Sequence, residues 1–206
     1  MKPVRIVIFA KAPRPGFAKT RLIPALGAQG AADLACRLLV RAVREAMTAG
    51  VGRVELCVTP FRNDETWPAE IRAAQVDWTE QGDGDLGERL ARVTKRVIDS
   101  GESVLLVGAD CPELNAARLR EAARSLRRCD ATMFPTTDGG YALLGLRRFD
   151  ASPFANMAWS TDIVAQETLR RLAFLKWTVE THTVLHDIDE PADLKWLPSV
   201  AGEARV

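Results

Sequence analysis

The segment from residue 11 to residue 21 combines residue types that suit the binding of phosphate groups. It directly follows an apolar run and contains four cations, two prolines, one glycine and no acidic residue. Lysine and arginine supply charge-assisted donors to phosphate oxygens, and Gly16 allows close approach of the backbone. A Walker A loop has glycine directly before its lysine, whereas Phe17 and Ala18 stand between Gly16 and Lys19. We therefore predict an anion-binding loop of another kind, with a solvated basic turn as the alternative.

Aspartates in the middle and near the end of the chain are candidate ligands of a divalent cation. Asp110 follows the strongly apolar run Ser103–Val107, where a carboxylate is placed to hold Mg²⁺ or Mn²⁺; the alternative is a cap of the following turn. Asp187 and Asp189 are two residues apart, so their side chains lie on one side of an extended segment. They either complete a metal site with Asp110 or mark the start of a helix at Pro191.

Two glycine-containing segments are candidate contacts for the rest of a ligand. Gln81–Gly87 has the spacing GxGxxG, but its two aspartates would repel a pyrophosphate and it does not follow the first strand. It is either a loop that approaches a base or sugar, or a tight turn that closes onto the next helix. Asp138 precedes Gly139 and Gly140 between two short β runs; it can orient or deprotonate a hydroxyl, or it belongs to a hairpin turn. Trp159 can stack on a sugar or base, or lie in the core.

Strand-like apolar runs alternate with helical patterns, which predicts an α/β sandwich of three layers (α/β/α) with a mostly parallel sheet. Ligands of such sheets bind beyond the carboxyl ends of the strands, where all these segments fall. The predicted strands are Val4–Ala10, Val54–Thr59, Val76–Glu80, Ser103–Val107, Ala131–Pro135, Tyr141–Leu146 and Thr178–His186. The predicted helices are Ala31–Ala49, Leu86–Ile98, Ala116–Arg128, one from a cap at Ser160 or Thr161 to about Leu175, and a short one after Pro191.

Length and composition favour an ordinary globular protein. The 206 residues predict a single domain over residues 1–198, with a frayed tail at 199–206. The net charge of +1 disfavours nucleic acid as a partner. No apolar stretch is long enough to span a membrane. The four cysteines form no CxxC pair, so we expect free thiols in a cytoplasmic protein rather than zinc ligands or disulfides.

The stretches described above, taken in order, resemble the nucleotide-diphospho-sugar transferase superfamily, which has the GT-A fold. The resemblance spans about residues 4–197 and is closest to short, stand-alone GT-A-like proteins described as arsenosugar-biosynthesis-type glycosyltransferases. The stretches that carry it are Phe9–Pro13, Gly16, Lys19–Leu22, Gln81–Arg89, Gly108–Pro112, Pro135, Asp138–Tyr141, Trp159–Thr161 and Asp187–Leu194.

This resemblance implies a role for each group of residues. Nucleotide and phosphate binding falls to Ala10, Lys11, Pro13, Gly16, Lys19, Thr20, Arg21, Gln81, Gly82 and Gly87. The Mg²⁺ or Mn²⁺ ligands are Asp110, Asp187 and Asp189; the catalytic residues are Asp138 and Lys19; and the acceptor or sugar contacts are Asp138, Gly139, Gly140 and Trp159.

The implied activity is a metal-dependent transfer from a nucleotide-activated donor to a small-molecule acceptor. Many GT-A enzymes carry Asp-x-Asp where this chain has Gly108-Ala109-Asp110, with a single acid. In having a single aspartate at this position, the chain is similar to nucleotidyltransferases such as the molybdopterin and phospholactate guanylyltransferases. Glycosyl transfer from a nucleotide sugar, nucleotidyl transfer from an NTP, and a non-catalytic nucleotide-binding module therefore all remain open, as does the oligomeric state.

Overall fold

A computed structural model of the protein describes residues 2–59 and 67–197, so the predicted tail at 199–206 lies outside the described residues. The strands are β1 (Val4–Lys11), β2 (Gly52–Thr59), β3 (Asp77–Glu80), β4 (Ser103–Gly108), β5 (Ala131–Pro135), β6 (Tyr141–Leu146) and β7 (Val179–Thr181). The helices are α1 (Ile23–Ala49), α2 (Ala69–Ala73), α3 (Leu86–Asp99), α4 (Ala116–Ser125) and α5 (Val164–Phe174), with 3₁₀ turns at Thr20–Leu22 and Pro191–Trp196.

These strands form one seven-stranded sheet in the order β3-β2-β1-β4-β6-β5-β7. Only β6 runs antiparallel to its neighbours among them, so the predicted mostly parallel sheet is confirmed. The carboxyl ends of β1, β4 and β5 meet at one edge, where the predicted site residues follow them.

Helices cover both faces of the sheet because the strand residues are apolar on both sides. Ile6 and Ile8 of β1 pack in a core with α1 and α4. Val7 points to the other face and packs with α3 and α5. Each such buried aliphatic side chain contributes about 1.5–3 kcal/mol to folding. The three-layer α/β/α fold is therefore confirmed, and no helix among the described residues is long and apolar enough to span a membrane.

A third, smaller apolar cluster fixes the segment that carries two candidate ligands. Ile188 is fully buried against Leu22 and Leu34, the latter on α1. Because neighbours in an extended segment alternate in direction, burying Ile188 turns Asp187 and Asp189 to the opposite side.

Two predicted helix starts are wrong. α1 begins at Ile23 rather than Ala31, with an interruption at Gly27, whose φ of 71° is outside the helical region. α5 begins at Val164 rather than after a cap at Ser160 or Thr161. Ser160 has a φ of 63°, so no helix can start there.

Two predicted element ends also differ. α4 ends at Ser125 rather than Arg128. β7 stops at Thr181, because its pairing with β5 ends where Met133 meets Thr181. The chain beyond follows the sheet only through an isolated bridge between Thr136 and Leu185.

Candidate functional site

Lys19 joins the segments that follow β1 and β4 to the acidic segment near the end of the chain. Its ammonium nitrogen lies 2.6 Å from Asp110 Oδ1 and 2.7 Å from Asp189 Oδ1, and only 6% of its side chain is exposed. The Ile188 N–H donates to the Asp110 carbonyl at 3.0 Å, which ties the two acidic segments together. The structure therefore brings the basic loop and the acidic segments to one place.

The two carboxylates keep Lys19 charged despite its burial. Burial lowers the pKa of Lys19, but the attraction of Asp110 and Asp189 outweighs burial and holds that pKa above its ordinary value. The Lys19 backbone is left-handed, with φ 49° and ψ 45°. Such a conformation costs a non-glycine residue on the order of 1 kcal/mol and is concentrated at functional sites.

Three carboxylates form a second group beside Lys19. Oxygens of Asp138, Asp187 and Asp189 all lie within 4.8 Å of one another. Burial and the charges of Asp138 and Asp189 raise the pKa of Asp187 to about 6. A set of hard oxygen donors this close suits Mg²⁺ or Mn²⁺. Asp138, which the resemblance assigned to catalysis, thus lies among the predicted metal ligands, whereas Asp110 pairs with Lys19.

The turn between β5 and β6 orients Asp138. One carboxylate oxygen, Oδ1, accepts from the Thr136 hydroxyl at 2.6 Å and from the Gly140 N–H at 2.9 Å. Gly139 has a φ of 87°, and a Cβ there would lie 2.0 Å from the Asp162 carbonyl oxygen. Glycine is therefore required at this position, and both glycines serve to build the turn that presents Asp138.

A cavity of about 550 Å³ opens over these groups, a size typical of small-molecule sites. The cavity is lined both by cations from the loop after β1 and by the carboxylates Asp110, Asp138 and Asp189. Of the residues predicted to bind phosphate, Ala10, Lys11, Lys19, Thr20 and Arg21 line this cavity, whereas Pro13 and Gly16 do not.

A second cavity of about 220 Å³ adjoins the first and has a more apolar wall. The two share Phe9, Asp138, Ser160 and Thr161. The smaller cavity is also lined by Asp187 and by a set of apolar side chains: Leu86, Leu90, Tyr141, Trp159 and Val164. Asp138 therefore lies at the boundary between a charged cavity and an apolar one, and Trp159 belongs to the apolar one.

Within the glycine-rich segment Gln81–Gly87 after β3, Leu86 lines the smaller cavity, and the other residues lie outside both cavity walls. The Gln81 amide donates to the Ala10 and Cys57 carbonyls, both at 3.1 Å, so it links three strand ends. A Cβ on Gly82 would lie 2.7 Å from the Arg92 guanidinium, and one on Gly87 would lie 2.3 Å from the Phe154 carbonyl. This packing favours the tight-turn interpretation, and nucleotide contact by these residues stays a prediction.

Sequence reasoning missed two residues at the mouth of the larger cavity. Phe17 is 64% exposed although it is aromatic, and it lines the cavity beside the basic loop. Glu190 lines it as well and lies 3.7 Å from Arg21, with both side chains mostly exposed. An aromatic residue within a loop of cations was the only signal for Phe17.

Comparison with known families and structures is consistent with this architecture. A family model described as "Uncharacterized protein conserved in bacteria (DUF2064)" matches residues 39–161, which is more than half of the chain. The chain belongs to this family. A comparison with curated proteins found no match.

Several solved structures are similar to this member of the DUF2064 family. A "putative nucleotide-diphospho-sugar transferase" from Desulfovibrio desulfuricans is 28% identical with a TM-score of 0.83, over 99% of this chain and 90% of that one. CMP:2-keto-3-deoxy-manno-octonic acid synthetase complexed with CTP is 14% identical with a TM-score of 0.61, over 96% and 97%. A Mycobacterium tuberculosis protein in complex with manganese is 18% identical with a TM-score of 0.54, over 95% and 98%.

These matches confirm the expected superfamily and the fold. The chain has the nucleotide-diphospho-sugar transferase fold, and its similar structures include transferases, in agreement with the expected enzyme class.

Proposed function

We propose that this protein is a divalent-metal-dependent transferase that uses a nucleotide-activated donor, and that the donor is a nucleotide sugar. The observation that carries the proposal is the 550 Å³ cavity, in which lysine and arginine side chains face a group of carboxylates. Cations alone would suit any anion, and carboxylates alone would suit any cation. Both together suit a metal–diphosphate complex, in which each set of side chains meets the opposite charge.

The basic loop would hold the phosphate groups of the donor. Lys11 and Arg21 are exposed at the cavity wall and can reach phosphate oxygens. Lys19 is already held by Asp110 and Asp189, so its role is to fix these acids and to present one ammonium charge at the base of the cavity. This supports the predicted role of Lys19 as a residue of the reacting centre.

Asp187 and Asp189 would hold the divalent cation, with Asp138 or Asp110 completing the set. Burial, together with the charges of Asp138 and Asp189, raises the pKa of Asp187, which supports a group of carboxylates whose ionised form a bound cation would stabilise. When bound, a divalent cation would neutralise the charge that develops on the departing diphosphate.

The adjoining apolar cavity would hold the acceptor. Asp138 lines both cavities, so its carboxylate lies between a donor in the larger and an acceptor in the smaller. The acceptor hydroxyl would form a bond to the anomeric carbon while the bond from that carbon to the diphosphate oxygen breaks. Asp138 would accept the hydroxyl proton, and the nucleoside diphosphate would leave. The type of glycosyltransferase that we propose is the short arsenosugar-biosynthesis type.

A second candidate is transfer of a nucleotidyl group from an NTP. The single acid at Asp110 favours it, as does the similarity of the fold to a synthetase solved with CTP. The acceptor oxygen would then attack the α-phosphorus and pyrophosphate would leave, with the same cations stabilising the departing charge.

Titration of UDP-sugars, GDP-sugars and free NTPs with Mg²⁺ or Mn²⁺ separates these hypotheses. Release of a nucleoside diphosphate and transfer of the sugar, without consumption of NTP, supports the proposed glycosyl transfer. Pyrophosphate release from an NTP supports nucleotidyl transfer instead. Metal-dependent nucleotide binding with no turnover of any donor would contradict both and identify a binding module.

A matched pair of variants ties the activity to the proposed site. Asp189→Asn removes a charge from the cavity, whereas Asp83→Asn removes one from an exposed loop outside it. We expect nucleotide turnover to require Asp189 and to be insensitive to the change at Asp83. Equal activity of both variants would show that the reaction takes place elsewhere.

A further inference from the structure

A further cavity lies at the edge of the sheet where β1 and β4 begin, opposite the proposed active site; we call it the opposite-edge cavity. It has a volume of about 790 Å³ and is lined by residues at the start of β1 and β4 and just after the end of β6, among them Val4, Ser103 and Arg147. Because β1 is eight residues long, roughly 25 Å separates this edge from the loop after β1. The cavity is therefore independent of the transferase site.

The wall of this opposite-edge cavity is strongly basic. Among residues 2–59 and 67–197, six cations and no acidic residue line it, although the chain as a whole has a net charge of only +1. The cations come from three separate parts of the chain: Lys2, Arg120, Arg124, Arg127, Arg147 and Arg148. Such a concentration of one charge sign in a concave surface focuses the field and attracts anions.

Contacts within the fold account for only some of these cations. Arg120 donates to the Thr48 and Ala49 carbonyls at the end of α1, and Arg147 pairs with Asp130 at 2.9 Å. Arg124 and Arg127 are exposed and have no ion pair within residues 2–59 and 67–197.

The helix dipole does not account for the rest. It favours a cation in the last turn of α4, where Arg124 lies. It gives no reason for Lys2 to reach the same cavity from another element, whereas Arg148 pairs with Asp130 at 3.8 Å and lies over the Trp177 ring.

The floor of the cavity differs from its wall. Val4, Val51, Ala123 and Leu126 supply an apolar surface beneath the guanidinium groups. No aromatic side chain of the described part of the chain lines the cavity, so these residues offer no stacking surface of the kind that proteins use for single-stranded nucleic acid. We propose that the opposite-edge cavity binds a small organic or inorganic anion that carries two or more phosphate groups.

Calorimetric titration with inorganic tripolyphosphate tests this proposal. Because tripolyphosphate also suits the transferase cavity, every protein in the experiment carries Lys11→Glu and Arg21→Glu, which reverse the charge there. In that background we expect one binding event, weakened at least tenfold when Arg124→Glu and Arg127→Glu are added. Failure of the transferase proposal would leave this result unchanged.

A charge-matched control and a second ligand make the outcomes decisive. Arg37→Glu with Arg72→Glu reverses two exposed arginines outside both cavities, and should change the affinity less than twofold. Arg124→Gln with Arg127→Gln replaces the glutamate pair if that pair unfolds, and should also weaken binding. An unchanged affinity in both cavity pairs, or equal weakening in the control, overturns the proposal. Tighter binding of a 20-nucleotide single-stranded RNA than of tripolyphosphate also overturns it, in favour of nucleic acid.

Discussion

Two groups of charged side chains in this protein, one buried in the fold and one partly exposed at a cavity, differ in how their charge is balanced. Glu55 in β2 is fully buried, and its carboxylate accepts from Thr79 at 2.6 Å, from Arg5 at 3.1 Å and from Arg96. Burial alone would raise the pKa of Glu55, but hydrogen bonds from Arg96 and Thr79 outweigh it and hold that pKa below its ordinary value.

The carboxylate group at the cavity has the opposite character. Asp138, Asp187 and Asp189 lie together, and Lys19, the cation buried beside them, is shared with Asp110. The pKa of Asp187 is raised, which means that its ionised form is disfavoured there. Breaking a balanced buried group leaves an uncompensated charge and destabilises the fold, whereas a group with surplus charge at a cavity is suited to bind a ligand of opposite charge. The predictions below test this difference.

The largest expected effect is on activity at the unbalanced group. Asp189→Asn should reduce turnover of the donor by about 10²–10³-fold, because it removes a carboxylate that would hold the divalent cation against the departing diphosphate. Steady-state product release at saturating metal measures it. A loss below tenfold would show that the carboxylates are not part of the reacting centre.

The balanced group should instead control stability. Glu55→Gln should lower the free energy of unfolding by about 3 kcal/mol, because it leaves the buried Arg5 with incomplete compensation. Urea denaturation measures this change. Glu180→Gln is the control, since Glu180 pairs with the mostly exposed Arg128 at the surface and its loss should change stability far less. Equal effects of the two variants would contradict a special role for the buried group.

The effect of Glu55 should depend on pH in a defined direction. Its folded pKa lies below the ordinary value of 4.5, so its contribution is present above that pH and is lost as pH falls through the folded pKa. The stability difference between the wild type and Glu55→Gln should therefore be constant from pH 8 to pH 5 and shrink in more acidic solution. A stability difference that grows on acidification would contradict the lowered pKa of Glu55.

Removing charge from the unbalanced group should have the opposite effect on stability. In chelator-treated protein at pH 8, Asp187→Asn should raise the melting temperature by about 2–4 °C, the shift expected for about 1 kcal/mol in a chain of this size. Relief of repulsion from Asp138 and Asp189 is the reason. A lower melting temperature would show that the group is already balanced without a metal.

The last prediction concerns a residue outside both charged groups. Phe17→Ala should weaken nucleotide binding about tenfold, the loss expected when one stacked base contact is removed, and should leave stability unchanged. Fluorescence titration with the donor nucleotide measures it. Unchanged affinity would show that this exposed aromatic side chain does not contact the base.

Much of the fold and part of the site follow from sequence alone, because they depend on local patterns. Burial of Ile188 gives Asp187 and Asp189 a common direction, as their spacing predicts. Lys19 and Asp110 come together because parallel strands place their carboxyl ends at one edge. The position of Asp138 beside Asp187 could not be predicted, since it depends on the β5–β6 turn and on the bridge between Thr136 and Leu185. The start of α5 could not be predicted either, because the left-handed backbone of Ser160 just before it is not indicated by its residue type.

Anomalous diffraction from a crystal soaked in Mn²⁺ tests the central claim most directly. We predict one strong manganese peak within about 2.5 Å of carboxylate oxygens from Asp187 and Asp189, at the base of the cavity that Lys19 lines. A manganese peak only at other carboxylates, or none at millimolar Mn²⁺, would contradict the account.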